Sequence, residues 1–337
     1  MRARICCRRR CAQRPAQRYF KWCRLKRCAL SDRLVWERDG LDWPHRDASS
    51  FVKAGGLRWH VQQFGMHHAD LPVALLIHGT GAATHSWRGL APLLAPYFSV
   101  LTMDLPGHGF TDMPAGGAGS TQLSLPGMAQ AIHALLNTLG LQPSLVVGHS
   151  AGAAVAVRMC LDELISPWLV ISLNGAFLPL GGLAGQVFLP AAKLMAATPL
   201  LPKLFSWSAA DPNVLRRLIH GTGSMLDATG LALYGKLIRN SGHAAGALAM
   251  MANWDLQSLV RDLPRLQNRL GLVVGANDRT ISPRQATRVM AMLGPAAQST
   301  LTTFPDLGHL AHEERPDVVA AHLRREFHAV TGRFNSD

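Results

Sequence analysis

Charge is scarce in this chain, and most of it sits in one place. Only 16% of the 337 residues are charged, too few for a solvated polymer without a core. The formal net charge of +13 comes almost wholly from residues 1–33, where 12 Lys/Arg face the single acid Asp32, a local charge of +11. The remainder holds 22 basic and 20 acidic residues, which gives no general electrostatic argument for nucleic acid as a partner. Cysteine is scarce in the same way. Cys6, Cys7, Cys11, Cys23 and Cys28 lie in the basic segment and only Cys160 lies beyond it, so the body has no internal disulfide and suits a reducing cytoplasm. None of the early five forms the C-x2-C pair of a zinc knuckle. A clean membrane span is missing too. Leu164–Ala192 carries no charge, yet Asn174, Pro179, Gly181, Gly182, Gly185 and Pro190 interrupt it, and it reads as a buried strand, a loop and a short helix.

The basic segment has no apolar core of the roughly 7–15 residues that a secretory signal needs. A basic arm for acidic lipid or RNA is weaker than the plain reading: a disordered extension, as arises when a start codon is assigned too far upstream. No internal repeat is visible.

What is present is a chain that is 48% hydrophobic, enough for a large core. Phe51–Lys53 and Leu57–Phe64 flank Ala54-Gly55-Gly56 as a hairpin. Val73–Ile77, Ser99–Met103, Ser144–Val147, Trp168–Leu173, Arg269–Val274 and Ser299–Phe304 read as strands. Several of them are apolar throughout, as strands covered on both faces are. Between them Ser86–Ala95, Ser124–Leu139, Ala151–Cys160, Pro283–Leu293 and Arg315–Phe327 have helical spacing. Strands alternating with helices predict an α/β fold with a mostly parallel central sheet. The expected partition is a basic extension over 1–35, a core over 36–174 and 255–332, a helical lid over 175–254, and a tail over 333–337.

One stretch carries the chemistry. In LVVGHSAGAAVAV a strand ends at Gly148 and a helix begins after Ser150, leaving almost no room for a turn. Gly148 and Gly152 remove side chains where strand and helix crowd together, and Ser150 is pushed out at the sheet edge in a strained conformation. A serine nucleophile needs a base, and the base an orienting acid, in the chain order Ser, Asp or Glu, His. GANDRT places Asp278 just past a strand, and FPDLGHLAHEERP places His309 just past the last strand. Ser150 is therefore the expected nucleophile, His309 the general base and Asp278 the orienting acid. His312 is a rival base, and HLAHEE a weaker metal reading through His309, His312 and Glu313. Asn174, after the Trp168–Leu173 strand, cannot ionise and so favours Asp278 as the acid. Expected oxyanion donors are the N–H of Ala151 and, from HGTGAATHSW, that of Thr80 first and Gly81 second. His78 is expected to support that loop, and Asp104 and His108 to build a turn beneath the site. No cofactor and no metal is expected.

HGTG, DLPGHGF, GHSAG, GANDRT and GHLAHEERP occur together in the order of the α/β-hydrolase superfamily, which the chain resembles over about residues 51–330. That resemblance implies the α/β-hydrolase fold with a helical lid, and serine at position 150 argues against the dehalogenase and epoxide-hydrolase members. LDWPHRDASSFVKAGGLRWHVQ, HGTGAATHSWRGLAPLL, SLPGMAQAIHALL and SLNGAFLPLGGLAG further resemble the BchO family, α/β-hydrolase-like accessories of magnesium chelatase in bacteriochlorophyll synthesis. This implies a role near magnesium insertion into protoporphyrin IX. The partners it implies are a small apolar acyl substrate or a porphyrin intermediate, with magnesium chelatase itself and a peripheral membrane contact compatible. The lid stretch LAGQVFLPAAKLMAATPLLPKLFSW, with His220 and His243 beyond it, is where a tetrapyrrole would be met, although such an apolar stripe is more often core packing and lone histidines are more often structural or exposed.

Overall fold

The computed structural model describes residues 33–66, 70–179 and 211–333. The expected extension as far as residue 32, and the lid stretch over 180–210 with Trp207, lie outside the described residues. Eight strands form one sheet: β1 (Ser49–Ala54), β2 (Leu57–Phe64), β3 (Val73–Ile77), β4 (Ser99–Met103), β5 (Pro143–His149), β6 (Leu169–Leu173), β7 (Leu270–Gly275) and β8 (Thr300–Phe304). Their spatial order is β1-β2-β4-β3-β5-β6-β7-β8. β2 pairs antiparallel with both β1 and β4, and every other pair is parallel, so β2 alone runs against the rest.

Besides a single helical turn at Trp36–Asp39, the described helices are α1 (Leu90–Leu94), α2 (Leu125–Leu139), α3 (Ala151–Leu161), α4 (Pro212–Gly221), α5 (Ala228–Ile238), α6 (Ser241–Ala252), α7 (Leu256–Asp262), α8 (Arg284–Met290), α9 (Ala311–Glu314) and α10 (Pro316–Thr331). They explain why the central strands contain no polar alternation. Leu75 and Ile77 of β3 and Val146 of β5 join one core with α2, α3, α7 and α8. Their neighbours Ala74, Leu76, Leu145 and Val147 join a second core with α1 and α10 on the opposite face. With a period of two and both faces covered, every position must be apolar.

Local chemistry sets the ends. Ser124 caps α2 by accepting from Gly127 N–H at 3.2 Å, and Gly140 at φ 66° closes it. The expected helix over Ser86–Ala95 divides into a 3₁₀ turn, Thr84–Trp87, and α1. Pro92 has no N–H for the Arg88 carbonyl, which instead accepts from His45 Nε2 at 2.8 Å. α4, α5 and α6 fall within the span expected to form a lid. α6 packs backbone to backbone on the Pro106–Gly109 turn: a Cβ on Gly246 would lie 2.0 Å from the Gly107 oxygen. Among the described residues no helix is long and apolar enough to cross a membrane.

Candidate active site

β5 runs directly into α3 through Ser150, whose φ of 52° and ψ of −117° are unusual for a residue with a side chain. Backbone hydrogen bonds hold it there. Its N–H donates to Leu173 O at 3.0 Å, and its carbonyl accepts from Ala153 and Ala176 N–H at 3.1 and 3.0 Å. The flanking glycines are required by contact. A Cβ on Gly148 would come within 2.4 Å of Ala153 Cα, and one on Gly152 within 2.1 Å of Ile77 O.

The loops after β7 and β8 bring Asp278 and His309 together: His309 Nδ1 donates to Asp278 Oδ2 at 2.8 Å, with both side chains buried. The carboxylate is fully occupied. Asn174 Nδ2 donates to the same Oδ2 at 2.7 Å, while Thr280 and Ile281 N–H donate to Oδ1 at 2.8 and 2.9 Å. The main chain of His309 is anchored as well. Its carbonyl accepts from His149 Nε2 at 2.9 Å, and the next N–H, of Leu310, donates to buried Ser224 Oγ at 2.8 Å. Ser150 and His309 share the wall of a cavity of about 610 Å³, together with Ala151, Gly79, Thr80 and Gly81.

The loop after β3 lies against the serine. A Cβ on Gly79 would meet Ser150 Cβ at 3.0 Å. Ala82 N–H donates to Gly79 O at 3.2 Å across a tight turn whose third residue, Gly81, has φ 76°. His78 ties this loop to the one after β4. Its Nδ1 donates to Gly79 O at 2.7 Å, and its Nε2 accepts from Leu105 N–H at 2.9 Å. Buried Asp104 braces the second loop by accepting from Thr84 N–H, Phe110 N–H and His60 Nδ1 at 2.7 to 2.9 Å. The ring of His108 packs between those of His78 and His243, each 5.4 Å away.

Three other histidines take positions that spacing did not reveal. His312, the rival base, is fully buried with Nε2 on Ser86 Oγ at 2.7 Å, and burial pushes its pKa down to about 3. Glu313 accepts from Ser86 Oγ and Tyr234 OH at 3.0 and 2.7 Å, so His312 and Glu313 share Ser86 while His309 turns to Asp278. Among the described residues no three His, Cys, Asp or Glu are grouped as metal ligands. His243 of α6 uses both ring nitrogens on backbone: Nδ1 accepts from Gly109 N–H at 3.0 Å and Nε2 donates to Gly81 O at 3.1 Å. His243 therefore has a structural use and His220 lies exposed on α4, the ordinary roles of lone histidines. His149, His243 and Asn174 were not expected as supports of the site. An Asn directly after an apolar strand, at a position suited to an acid, was the one local signal among them.

Most of the cavity wall is apolar, with Leu178, Ile219, Ala247, Leu248 and Met251 among its residues, and none of its described residues is Lys or Arg. Its size is that of a small-molecule site.

Residues 74–322 match the model of the alpha/beta hydrolase family. The magnesium-chelatase 30 kDa subunit of Rhodobacter capsulatus is 37% identical over 276 residues, 82% of this chain and 93% of that protein. Among solved structures, an alpha/beta hydrolase fold protein from Burkholderia ambifaria has a TM-score of 0.68 at 22% identity, covering 82% of this chain and 97% of its own. The enol-lactonase from Burkholderia xenovorans LB400 has a TM-score of 0.65 at 19% identity, covering 83% of this chain and 100% of its own. At those identities the structural likeness speaks for the fold alone. The chain belongs to the α/β-hydrolase family and is a homologue of the magnesium-chelatase 30 kDa subunit.

Proposed function

We propose that the protein is a serine hydrolase acting on an ester or related acyl bond, in an accessory role to magnesium chelatase in bacteriochlorophyll synthesis. The observation that carries the hydrolase reading is the His309–Asp278 hydrogen bond beside the cavity that Ser150 also lines. Ser150 Oγ attacks the acyl carbon while His309 Nε2 takes its proton. Asp278 keeps the other ring proton on Nδ1 and stabilises the imidazolium. The oxyanion is met by the N–H of Ala151 and of Thr80 or Gly81, each worth about 3 kcal/mol in the transition state. The alcohol or thiol leaves with the proton from His309, and water releases the acid by the reverse sequence. The apolar wall, with no described Lys or Arg, suits a small apolar acyl substrate.

Labelling with a fluorophosphonate tests this reading. Folded wild-type protein is expected to label at Ser150, and Ser150→Ala not at all; unlabelled wild type removes it.

The accessory role is supported by the relative from Rhodobacter capsulatus, whose name ties it to magnesium chelatase. The same likeness favours a second reading, a non-hydrolytic binder of porphyrin or chelatase on a hydrolase scaffold. Complementation separates the two. A pathway-deficient strain rescued by wild type but not by Ser150→Ala favours catalysis, and equal rescue favours the binder.

A further inference from the structure

We infer that His243, on helix α6, is a positioning residue for the oxyanion donors, acting through the turn that carries them. The inference rests on the serine-hydrolase reading above. The turn carrying Thr80 and Gly81 contains two glycines, Gly79 and Gly81, and is closed by a single backbone hydrogen bond from Ala82 N–H to Gly79 O. Such a turn is soft by itself. His78 Nδ1 holds the near side of the turn at Gly79 O, and His243 ties the far side at Gly81 O. Because Gly81 offers a carbonyl, Nε2 must carry the proton, which leaves Nδ1 as the acceptor for Gly109 N–H. One neutral ring thus joins the candidate oxyanion turn to the Pro106–Gly109 turn. The peptide between Gly81 and Ala82 is then held at both its ends.

Helix α6 is placed to hold that ring still. Asn240 Oδ1 caps it by accepting from the N–H of His243 itself at 2.9 Å. Gly246, a turn later, sits so close to Gly107 that no side chain fits between them. Burial pushes the pKa of His243 down to about 4, which keeps the ring neutral and the tautomer single near neutral pH. Preorganised donors are effective only when held where negative charge develops, and small displacements cost heavily.

Two substitutions divide the bridge. His243→Asn places an amide oxygen near the Nδ1 position and keeps the Gly109 bond only. His243→Gln places an amide NH₂ near the Nε2 position and keeps the Gly81 bond only. Full-length wild type and both variants are assayed with p-nitrophenyl butyrate and with a fluorophosphonate. His243→Asn is expected to lose roughly 10- to 100-fold in kcat and in labelling rate with little change in KM. His243→Gln is expected to lose clearly less in labelling rate than His243→Asn, while both variants melt lower than wild type by similar amounts, since each leaves one buried backbone group unpaired. Equal losses of labelling rate in the two variants, including equal failure to fold, would mean a merely structural role and overturn the inference. So would a His243→Asn that labels as fast as wild type. Wild type that does not label takes the serine-hydrolase reading away as well, which distinguishes the two failures.

Discussion

Asp278→Asn is the perturbation whose consequence the geometry determines most fully. The Oδ1 position receives two backbone N–H groups, from Thr280 and Ile281, at 2.8 and 2.9 Å. An amide NH₂ cannot face two donors, so the amide oxygen must take that place. The NH₂ then occupies the Oδ2 position, 2.8 Å from His309 Nδ1. It can only donate there, which forces the imidazole proton onto Nε2, the atom that accepts the proton of Ser150 in the proposed mechanism. The second neighbour adapts more easily. Asn174 presents its own NH₂ to the same position at 2.7 Å, but its buried Oδ1 has no partner among the described residues, and turning the amide over supplies the missing acceptor. The four hydrogen bonds to this carboxylate all lose their charge, while the cost of burying that charge is relieved, so the expected net cost to folding is about 2–4 kcal/mol. The cost to catalysis is roughly 10⁴ in kcat, or about 5.5 kcal/mol, as for a triad held in the wrong tautomer. Hydrolysis of p-nitrophenyl butyrate and fluorophosphonate labelling, read beside a melting curve, measure both. A folded Asp278→Asn protein that labels at the wild-type rate refutes the assignment of the orienting acid.

Gly152→Ala drives a Cβ to 2.1 Å from Ile77 O and 2.6 Å from His78 O, both backbone atoms, and should cost roughly 3 kcal/mol or more in urea denaturation; an unchanged midpoint would contradict the crowding at the elbow. Gly79→Ala meets Ser150 Cβ and His149 Nδ1 at 3.0 Å, a gap that small shifts can relieve, so labelling of Ser150 should slow more than stability falls, and the reverse ranking would speak against a site so tightly set. Burial raises the pKa of Glu313 from 4.5 to about 7, so its contribution is fully present below about pH 4.5 and is lost as pH rises through 7. The stability of wild type relative to Glu313→Gln should therefore drop by about 2.5 kcal/mol between pH 5 and 8, and a flat difference would refute the burial argument.

The parts of the fold legible in the sequence are those written locally. β3 and β5 could be found because sheet strands covered on both faces must be apolar at each step, and two cores on opposite sides of the sheet now account for that. The elbow was legible because its glycines answer a collision between neighbours a few residues apart. Asp278 and His309 could be nominated because each directly follows a strand, and parallel strands deliver their C-terminal ends to one edge. The divided helix before α1 was less visible, since it depends on His45, 43 residues away, taking the Arg88 carbonyl.

What stayed hidden is the support beneath the site, and the reason is physical. Asn174 meets Asp278 across 104 residues, His149 meets the His309 carbonyl across 160, and His243 meets Gly81 across 162. No periodicity encodes such a pairing, because a buried polar side chain is satisfied by whichever group the whole fold brings to it. Histidine is the hardest case, since the same ring can be a base, a ligand or a brace. The structure separates these uses by what each nitrogen touches. His309 gives one nitrogen to a carboxylate and lines the cavity, the arrangement a base requires. His78 and His243 spend both nitrogens on backbone groups of the surrounding loops, which fits bracing and leaves no lone pair for a ligand. A histidine's role at this site is therefore set by its unspent nitrogen, a quantity that exists only once the chain has folded.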